Sequence, residues 1–259
     1  MATIITGASS GIGFELTKLC SRHGQDVVMI ANNKKRLDEA RKNIETVAKG
    51  RVSSIAADLS DLEAPAYIIK KLHKDGVPID ILINNAGFSA RGEFWNIPLD
   101  AHIQMMRVNM TALTHLTYLV LPQMLEINRG KILNVASTAA YAPGPYMAVY
   151  YATKAYVLSF SQALGSELQQ KESSNITVTA LCPGPTETNF AKRAGATDTP
   201  LFQNMRVLKP EKVAKIGFDG MMKGKDVVVP GTANKFWATG ARFSPRKITS
   251  KIISFLQKK

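Results

Sequence analysis

Tyr150 and Lys154 stand four residues apart in Tyr150-Tyr151-Ala152-Thr153-Lys154, at the head of a long helical pattern. That spacing puts both on one helix face. A phenol titrates near pH 10 in water and is a poor acid–base group at neutral pH. A neighbouring ammonium stabilises the phenolate and lowers that pKa. A drop of about three units corresponds to about 4 kcal/mol of differential stabilisation, feasible for a close, partly desolvated cation. The pair is suited to moving a proton to or from a substrate oxygen. Tyr151 lies about 100° round the helix and is less well placed. Tyr-x3-Lys alone is common in helices, so its weight comes from its surroundings.

Two of those surroundings carry chemistry. Ser137 closes the apolar run 132–137, thirteen residues before Tyr150, where its hydroxyl could hydrogen-bond a carbonyl oxygen. Thr6-Gly7-Ala8-Ser9-Ser10-Gly11-Ile12-Gly13 follows the first apolar run and opens the first helical pattern. There Gly7 makes a tight exit turn, Gly11 lets backbone approach a pyrophosphate, and Gly13 lets helix and strand pack closely. The helix N-terminus offers free N–H groups to phosphates. The spacing is Gly-x3-Gly-x-Gly, and no Lys-Ser/Thr follows as in a P-loop. Glycines alone fit a purely structural turn; the strand–turn–helix context favours a dinucleotide.

These groups need strands that end on one side of a sheet. Apolar runs at 2–6, 26–31, 52–57, 79–84, 131–136, 176–181 and 226–229 alternate with helical patterns at 12–23, 34–48, 64–74 and 151–169. Val- and Ile-rich runs alternating with helices predict a doubly wound, Rossmann-type α/β domain. Its sheet has seven parallel strands with helices on both faces. Gly24 sits where a helix C-cap glycine belongs. Without repeats or a mid-chain break, residues 1–259 read as one domain. In such sheets ligands bind outside the carboxyl ends of the strands. Gly7, Asn84-Asn85-Ala86-Gly87 and Ser137 all fall there.

At the end of the second run, an acidic residue would grip the ribose hydroxyls of NAD and repel the 2′-phosphate of NADP. The segment is Ala31-Asn32-Asn33-Lys34-Lys35-Arg36 instead, which favours NADP(H), with NAD left open. Those three cations fit the solvated start of a helix nearly as well.

Composition narrows the class. The chain has 259 residues, 45% of them hydrophobic, and a net charge of +13. That excludes a disordered or fibrous protein. Two cysteines, Cys20 and Cys182, give no disulfide framework or cysteine zinc site. The four histidines lack ligand spacing, so no metal is expected. No apolar run is long enough to span a membrane, and no secretory signal is evident, so a cytoplasmic location is expected. Residues 1–190 carry 18 basic and 16 acidic side chains, residues 191–259 carry 15 and 4. The positive charge therefore belongs to the last quarter, and no nucleic-acid-binding signature accompanies it.

Taken together, the chain resembles the compact short-chain dehydrogenases/reductases, along essentially its whole length. Thr6–Gly13 matches that family's cofactor turn, and Asn84–Gly87 its Asn-Asn-Ala-Gly strand end. Asn109, Ser137, Tyr150 and Lys154 match its active-site set. The resemblance implies cofactor contacts from Gly7, Ser9, Ser10, Gly11, Ile12 and Gly13 in the turn, and from Asn32, Asp58 and Leu59 at the adenosine end. It implies others from Asn85, Ala86 and Gly87, from Tyr150 and Lys154, and from Pro183, Gly184, Thr186 and Thr188 over the nicotinamide. It further implies a proton from Tyr150, a carbonyl polarised by Ser137, a water held by Asn109 beside Lys154, and a homodimer or homotetramer. Basic residues that often mark NADP use in the family are replaced here by Ser10 and Asn32.

The expected function is hydride transfer between NADP(H) and an apolar carbonyl or secondary alcohol. The alternatives are an NAD-linked alcohol dehydrogenase and a weakly catalytic cofactor-binding scaffold. Substrate walls are expected from 88–97, 139–149 and a lid at 188–207. They bring Phe88, Phe94, Trp95, Tyr141, Tyr146, Met147, Phe190 and Phe202. Residues 234–259 form a basic extension, and within 245–256 Ile248, Ile252 and Leu256 share helical spacing beside Lys247 and Lys251. Such a helix packs on its own domain or another subunit, or lies on an anionic membrane.

Overall fold

The computed structural model describes residues 2–171, 174–195, 198–200 and 207–258. Phe202 and much of the expected lid lie outside them. Strands β1 (Ala2–Thr6), β2 (Asp26–Ala31), β3 (Val52–Ala56), β4 (Ile79–Asn84), β5 (Gly130–Val135), β6 (Ile176–Leu181) and β7 (Val227–Val228) form one sheet. Its order is β3-β2-β1-β4-β5-β6-β7, and each neighbouring pair is parallel. The order reverses between β1 and β4, which opens a crevice at their carboxyl ends.

Strand periodicity sorts the core onto two faces. On one face, Ile4, Val28, Leu82, Ile132 and Val178 pack against α3 (Ala64–Lys74) and α5 (Ala112–Glu126). On the other, Ile5, Met29, Ile83, Leu133 and Leu181 pack against α1 (Gly11–Arg22), α2 (Lys34–Glu45) and α8 (Pro210–Met222). Ile4 and Ile5 are both fully buried, on opposite faces. Each such side chain contributes about 1.5–3 kcal/mol. Gly24, at φ +83°, turns the chain from α1 into β2 in the left-handed region that favours glycine.

Five further helices frame the crevice. α4 (Leu99–Met106) runs into a wider π-helical stretch, Arg107–Thr111, before α5. α6 (Ala148–Gln170) starts earlier than its sequence pattern, because the Gly144-Pro145-Tyr146 turn ends before Ala148, and so takes in Tyr150. α9 (Thr232–Phe243) and α10 (Arg246–Gln257) follow β7. α7 (Asn189–Ala194), capped by Thr188, lies within the segment expected to form a lid.

A buried polar ladder crosses the sheet. Asn84 Nδ2 donates to Thr117 Oγ1 at 3.2 Å and to Asn134 Oδ1 at 2.9 Å, and Asn134 Nδ2 donates to Ser161 Oγ at 2.9 Å. It fixes α5 and α6 against β4 and β5, just below the strand ends that carry the chemistry. Among the described residues no helix is long and apolar enough to cross a membrane, and no cluster of side chains could hold a metal.

Candidate active site

The glycine turn is built around absent side chains. Gly7 and Gly11 take φ of +65° and +57°. A Cβ on Gly13 would lie 2.3 Å from both Asn85 Nδ2 and the Gly7 carbonyl oxygen. Asn85 Nδ2 uses that space to donate to the Thr6 and Gly7 carbonyls at 2.9 and 3.2 Å. The Thr6 hydroxyl accepts from the amides of Asn85 and Ala86 at 3.0 and 2.9 Å. The turn and the β4 end thus form one rigid cradle. Ser10 makes no side-chain cap to α1, and no carboxylate occupies its first turn. The first amides of α1 are left to an incoming anion.

A continuous cavity of about 520 Å³ leads from this cradle across the sheet. At the adenosine end it is lined by Asn32, Asp58 and Leu59, and at the turn by Gly7, Ser9, Ser10, Gly11 and Ile12. Asp58 accepts from the amide and hydroxyl of Ser60, both at 2.9 Å, which fixes its carboxylate. Asn85, Ala86 and Gly87 line the floor. Pro183, Gly184, Thr186 and Thr188 line the opposite wall. Gly13 and Asn109 do not face the cavity; each supports the residues that do. Lys34, Lys35 and Arg36 are exposed and open α2, whose cap is Asn33. Asn32 thus brings no carboxylate to the adenosine end, and the three cations stand beside it in solvent.

Ser137, Tyr150 and Lys154 meet in the middle of the cavity. Ser137 caps the turn Thr138–Tyr141: its Oγ accepts from Ala139 N at 3.1 Å and donates to the Pro183 carbonyl at 3.3 Å. Lys154 Nζ donates to the Val135 carbonyl at 2.7 Å and lies 5.8 Å from the Tyr150 ring centre. The expected lowering of the Tyr150 pKa by Lys154 does not hold in this state. Burial pushes the phenol well above its ordinary value, and a hydrogen bond from Ser137, the largest opposing influence, only partly offsets it. Burial also lowers Lys154, to about 8. The ammonium is engaged with Val135, and desolvation outweighs its attraction for a phenolate.

Asn109 sits on the π-helical stretch, where widening of the helix turns its side chain inward. Its Oδ1 accepts from Phe88 N at 3.1 Å, and its Nδ2 donates to Phe88 O and Thr153 Oγ1, both at 3.0 Å. A Cβ on Gly87 would lie 3.1 Å from Asn109 Oδ1 and 3.5 Å from Lys154 Nζ. The two side chains face each other across the place where Gly87 has none.

Beyond Tyr150 the cavity turns apolar, although not as the sequence implies. Phe88, Met147 and Phe190 line it, and the Phe190 ring lies 5.3 Å from that of Tyr150. Phe94 and Trp95 are 54% and 77% exposed, and Tyr141 packs under the loop against Cys182. Tyr146 lies at φ +65° beside a separate small pocket. The missing wall comes from α9 and α10, through Trp237, Ile253, Leu256 and Gln257. Gln257 Nε2 donates to Tyr151 Oη at 3.3 Å, and Arg91 Nε donates to the Gln257 carbonyl at 3.0 Å. The buried face of α10 is Thr249, Ile253 and Gln257, one residue round from the expected stripe, so Ile248 and Ile252 point outward.

A seven-stranded parallel sheet whose glycine-rich turn and Ser137, Tyr150 and Lys154 open on one cavity at the switch point defines a class of fold, the Rossmann type. The chain belongs to the short chain dehydrogenase family, whose profile matches residues 1–199. It is 34% identical over 202 residues to a very-long-chain 3-oxoacyl-CoA reductase-B of Danio rerio, covering 76% of this chain and 63% of that one. Among solved structures, it resembles a short-chain dehydrogenase from Sphingobium yanoikuyae in complex with NADPH. There the identity is 33%, the TM-score 0.82, and the coverage 93% of both chains. A bulky-bulky ketone specific alcohol dehydrogenase from Comamonas testosteroni is 29% identical with a TM-score of 0.77, over 93% of this chain and 91% of that one.

Proposed function

We propose that this protein is an NADP(H)-dependent reductase of bulky, apolar ketones in which Tyr150 donates the proton. The observation that carries this reading is the single cavity joining the glycine cradle to Ser137, Tyr150 and an apolar chamber. The cradle suits a dinucleotide, since added Cβ atoms at Gly7 and Gly13 would fill it. NADPH bound there supplies the hydride. Gly7, Ser9, Ser10, Gly11 and Ile12 hold the pyrophosphate, Asp58 and Leu59 the adenine, and Asn32 leaves room for a 2′-phosphate. Pro183, Gly184, Thr186 and Thr188 cover the nicotinamide.

Ser137 directs a hydrogen bond at the substrate carbonyl, and Tyr150 gives its proton to that oxygen as charge develops there. A phenol raised by burial is protonated at neutral pH, which is the form reduction requires. Lys154 supplies positive charge beneath the ring. Asn109 positions Phe88 and Thr153 and so keeps the floor in register. The chamber lined by Phe88, Met147, Phe190, Trp237, Ile253 and Leu256 accepts apolar groups on the ketone carbon.

A second reading takes a long-chain 3-oxoacyl thioester as substrate. Arg193, exposed and on the cavity lining, would meet an anionic carrier. A panel of bulky ketones and 3-oxoacyl thioesters, assayed with NADPH and with NADH, separates these readings and the NAD-linked alternative. Tyr150→Phe should abolish turnover and keep NADPH binding; retained reduction by that variant would sink the proposal.

A further inference from the structure

α9 and α10 each present two different faces. Inward, Trp237, Ile253, Leu256 and Gln257 wall the cavity. Outward, Phe236, Phe243, Ile248, Ile252 and Phe255 are 80%, 85%, 52%, 43% and 73% exposed. Phe236 and Phe243 are seven apart, and Ile248, Ile252 and Phe255 follow at four and three, so each set is a stripe along its helix. Soluble surfaces rarely gather exposed apolar side chains in this way without a partner.

A second regularity accompanies the first. Four of these residues directly follow a cation, in Lys235-Phe236, Arg242-Phe243, Lys247-Ile248 and Lys251-Ile252. Those four cations, with Arg246 and Lys258, are all exposed. No Asp or Glu lies between residues 227 and 259, and among the described residues none of these cations forms a salt bridge.

We infer that the outward faces of α9 and α10 dock on an anionic lipid bilayer. The apolar stripes sink into the acyl boundary, and the flanking Lys and Arg stems carry their charges to the headgroup phosphates. A second copy of this chain is a poorer occupant. Packing this face on itself would bring six cations from each copy together with no carboxylate to receive them. The cavity lies directly behind the same helices, so docking would set the chamber read above as the ketone site beside the bilayer. That last link rests on the reductase reading; docking itself does not.

The test is flotation of the full chain with phosphatidylcholine vesicles, with and without phosphatidylglycerol. The chain should float with the anionic vesicles alone, and less as salt rises. Lys247→Gln and Lys251→Gln should each lower partitioning about fivefold. Phe243→Ser with Phe255→Ser should lower it by more than about tenfold, with thermal stability and turnover of a soluble ketone unchanged. No flotation with anionic vesicles at low salt overturns the inference. So does flotation that the phenylalanine variants leave intact, or a dimer in vesicle-free solution that those variants split. Flotation needs no turnover, so a failed reductase assay and failed docking remain separate results.

Discussion

Replacing Lys154 by Met separates what this residue does for the fold from what it does for chemistry. Lys154 is buried, and its pKa falls from 10.5 to about 8. At about 1.36 kcal/mol per unit, holding the ammonium in the fold at pH 7 costs about 3 kcal/mol. Met fills a similar volume without charge, but gives up the 2.7 Å bond to the Val135 carbonyl, worth about 1.5–3 kcal/mol for a charged donor. At pH 7 the variant should match or slightly exceed the parent in stability. The sign then changes with pH. Below about 8 the parent is charged both folded and unfolded, and bears the full penalty. Between about 8 and 10.5 the unfolded chain binds the proton more tightly, so the penalty shrinks as pH rises. Near pH 10 the parent keeps its hydrogen bond with little penalty and should be the more stable. Urea unfolding of both proteins from pH 6 to 10 measures the difference, and reductase activity should be lost in the variant throughout. A stability gap that stays flat from pH 7 to 10 would refute the reasoning.

In Gly13→Ala the new methyl would sit 2.3 Å from Asn85 Nδ2, so NADPH affinity measured by fluorescence titration should fall at least tenfold, with about 1–3 kcal/mol of destabilisation. Asn134→Ala strips partners from Asn84 and Ser161, and the urea midpoint should report a loss of about 2–3 kcal/mol. Leu256→Ala enlarges the chamber away from the cradle: KM for a bulky ketone should rise while the Kd for NADPH stays constant. Ketone reduction should hold through neutral pH and decline above about pH 8 as Lys154 loses its proton, whereas alcohol oxidation, which needs the phenolate, should strengthen towards alkaline pH; parallel profiles would contradict the assignments.

Much of this was legible in the sequence, for reasons of locality. The strands declare themselves through short β-branched runs, and all seven lie within a residue of their expected bounds. β7 is shorter at both ends, pairing only at Val227 and Val228 before Pro230. The glycine turn and Tyr150–Lys154 were visible because their geometry spans a few residues. What stayed hidden depends on distant partners. The phase of α10 is set by Thr249 and Gln257, polar by type yet buried, because Gln257 reaches Tyr151 at a separation of 106 residues. Phe94 and Trp95 look like pocket aromatics by type, and only the placement of their short turn leaves them exposed. The Asn84–Asn134–Ser161 ladder has no sequence pattern, since its members come from three separate elements.

The Thr6 hydroxyl binds amides 79 and 80 residues further along the chain. The cradle therefore does not exist in any local fragment. It appears when β1 and β4 pair, with β2 and β3 lying on the far flank of β1. Such long-range parallel pairing comes slowly in folding, because loop closure precedes its reward. A ligand held by this cradle would bind the assembled sheet and nothing less. By mass action it would stabilise the whole cooperative unit, by about 2.7 kcal/mol at a hundred times its Kd. The melting temperature of the protein would then serve as a direct gauge of which dinucleotide it prefers.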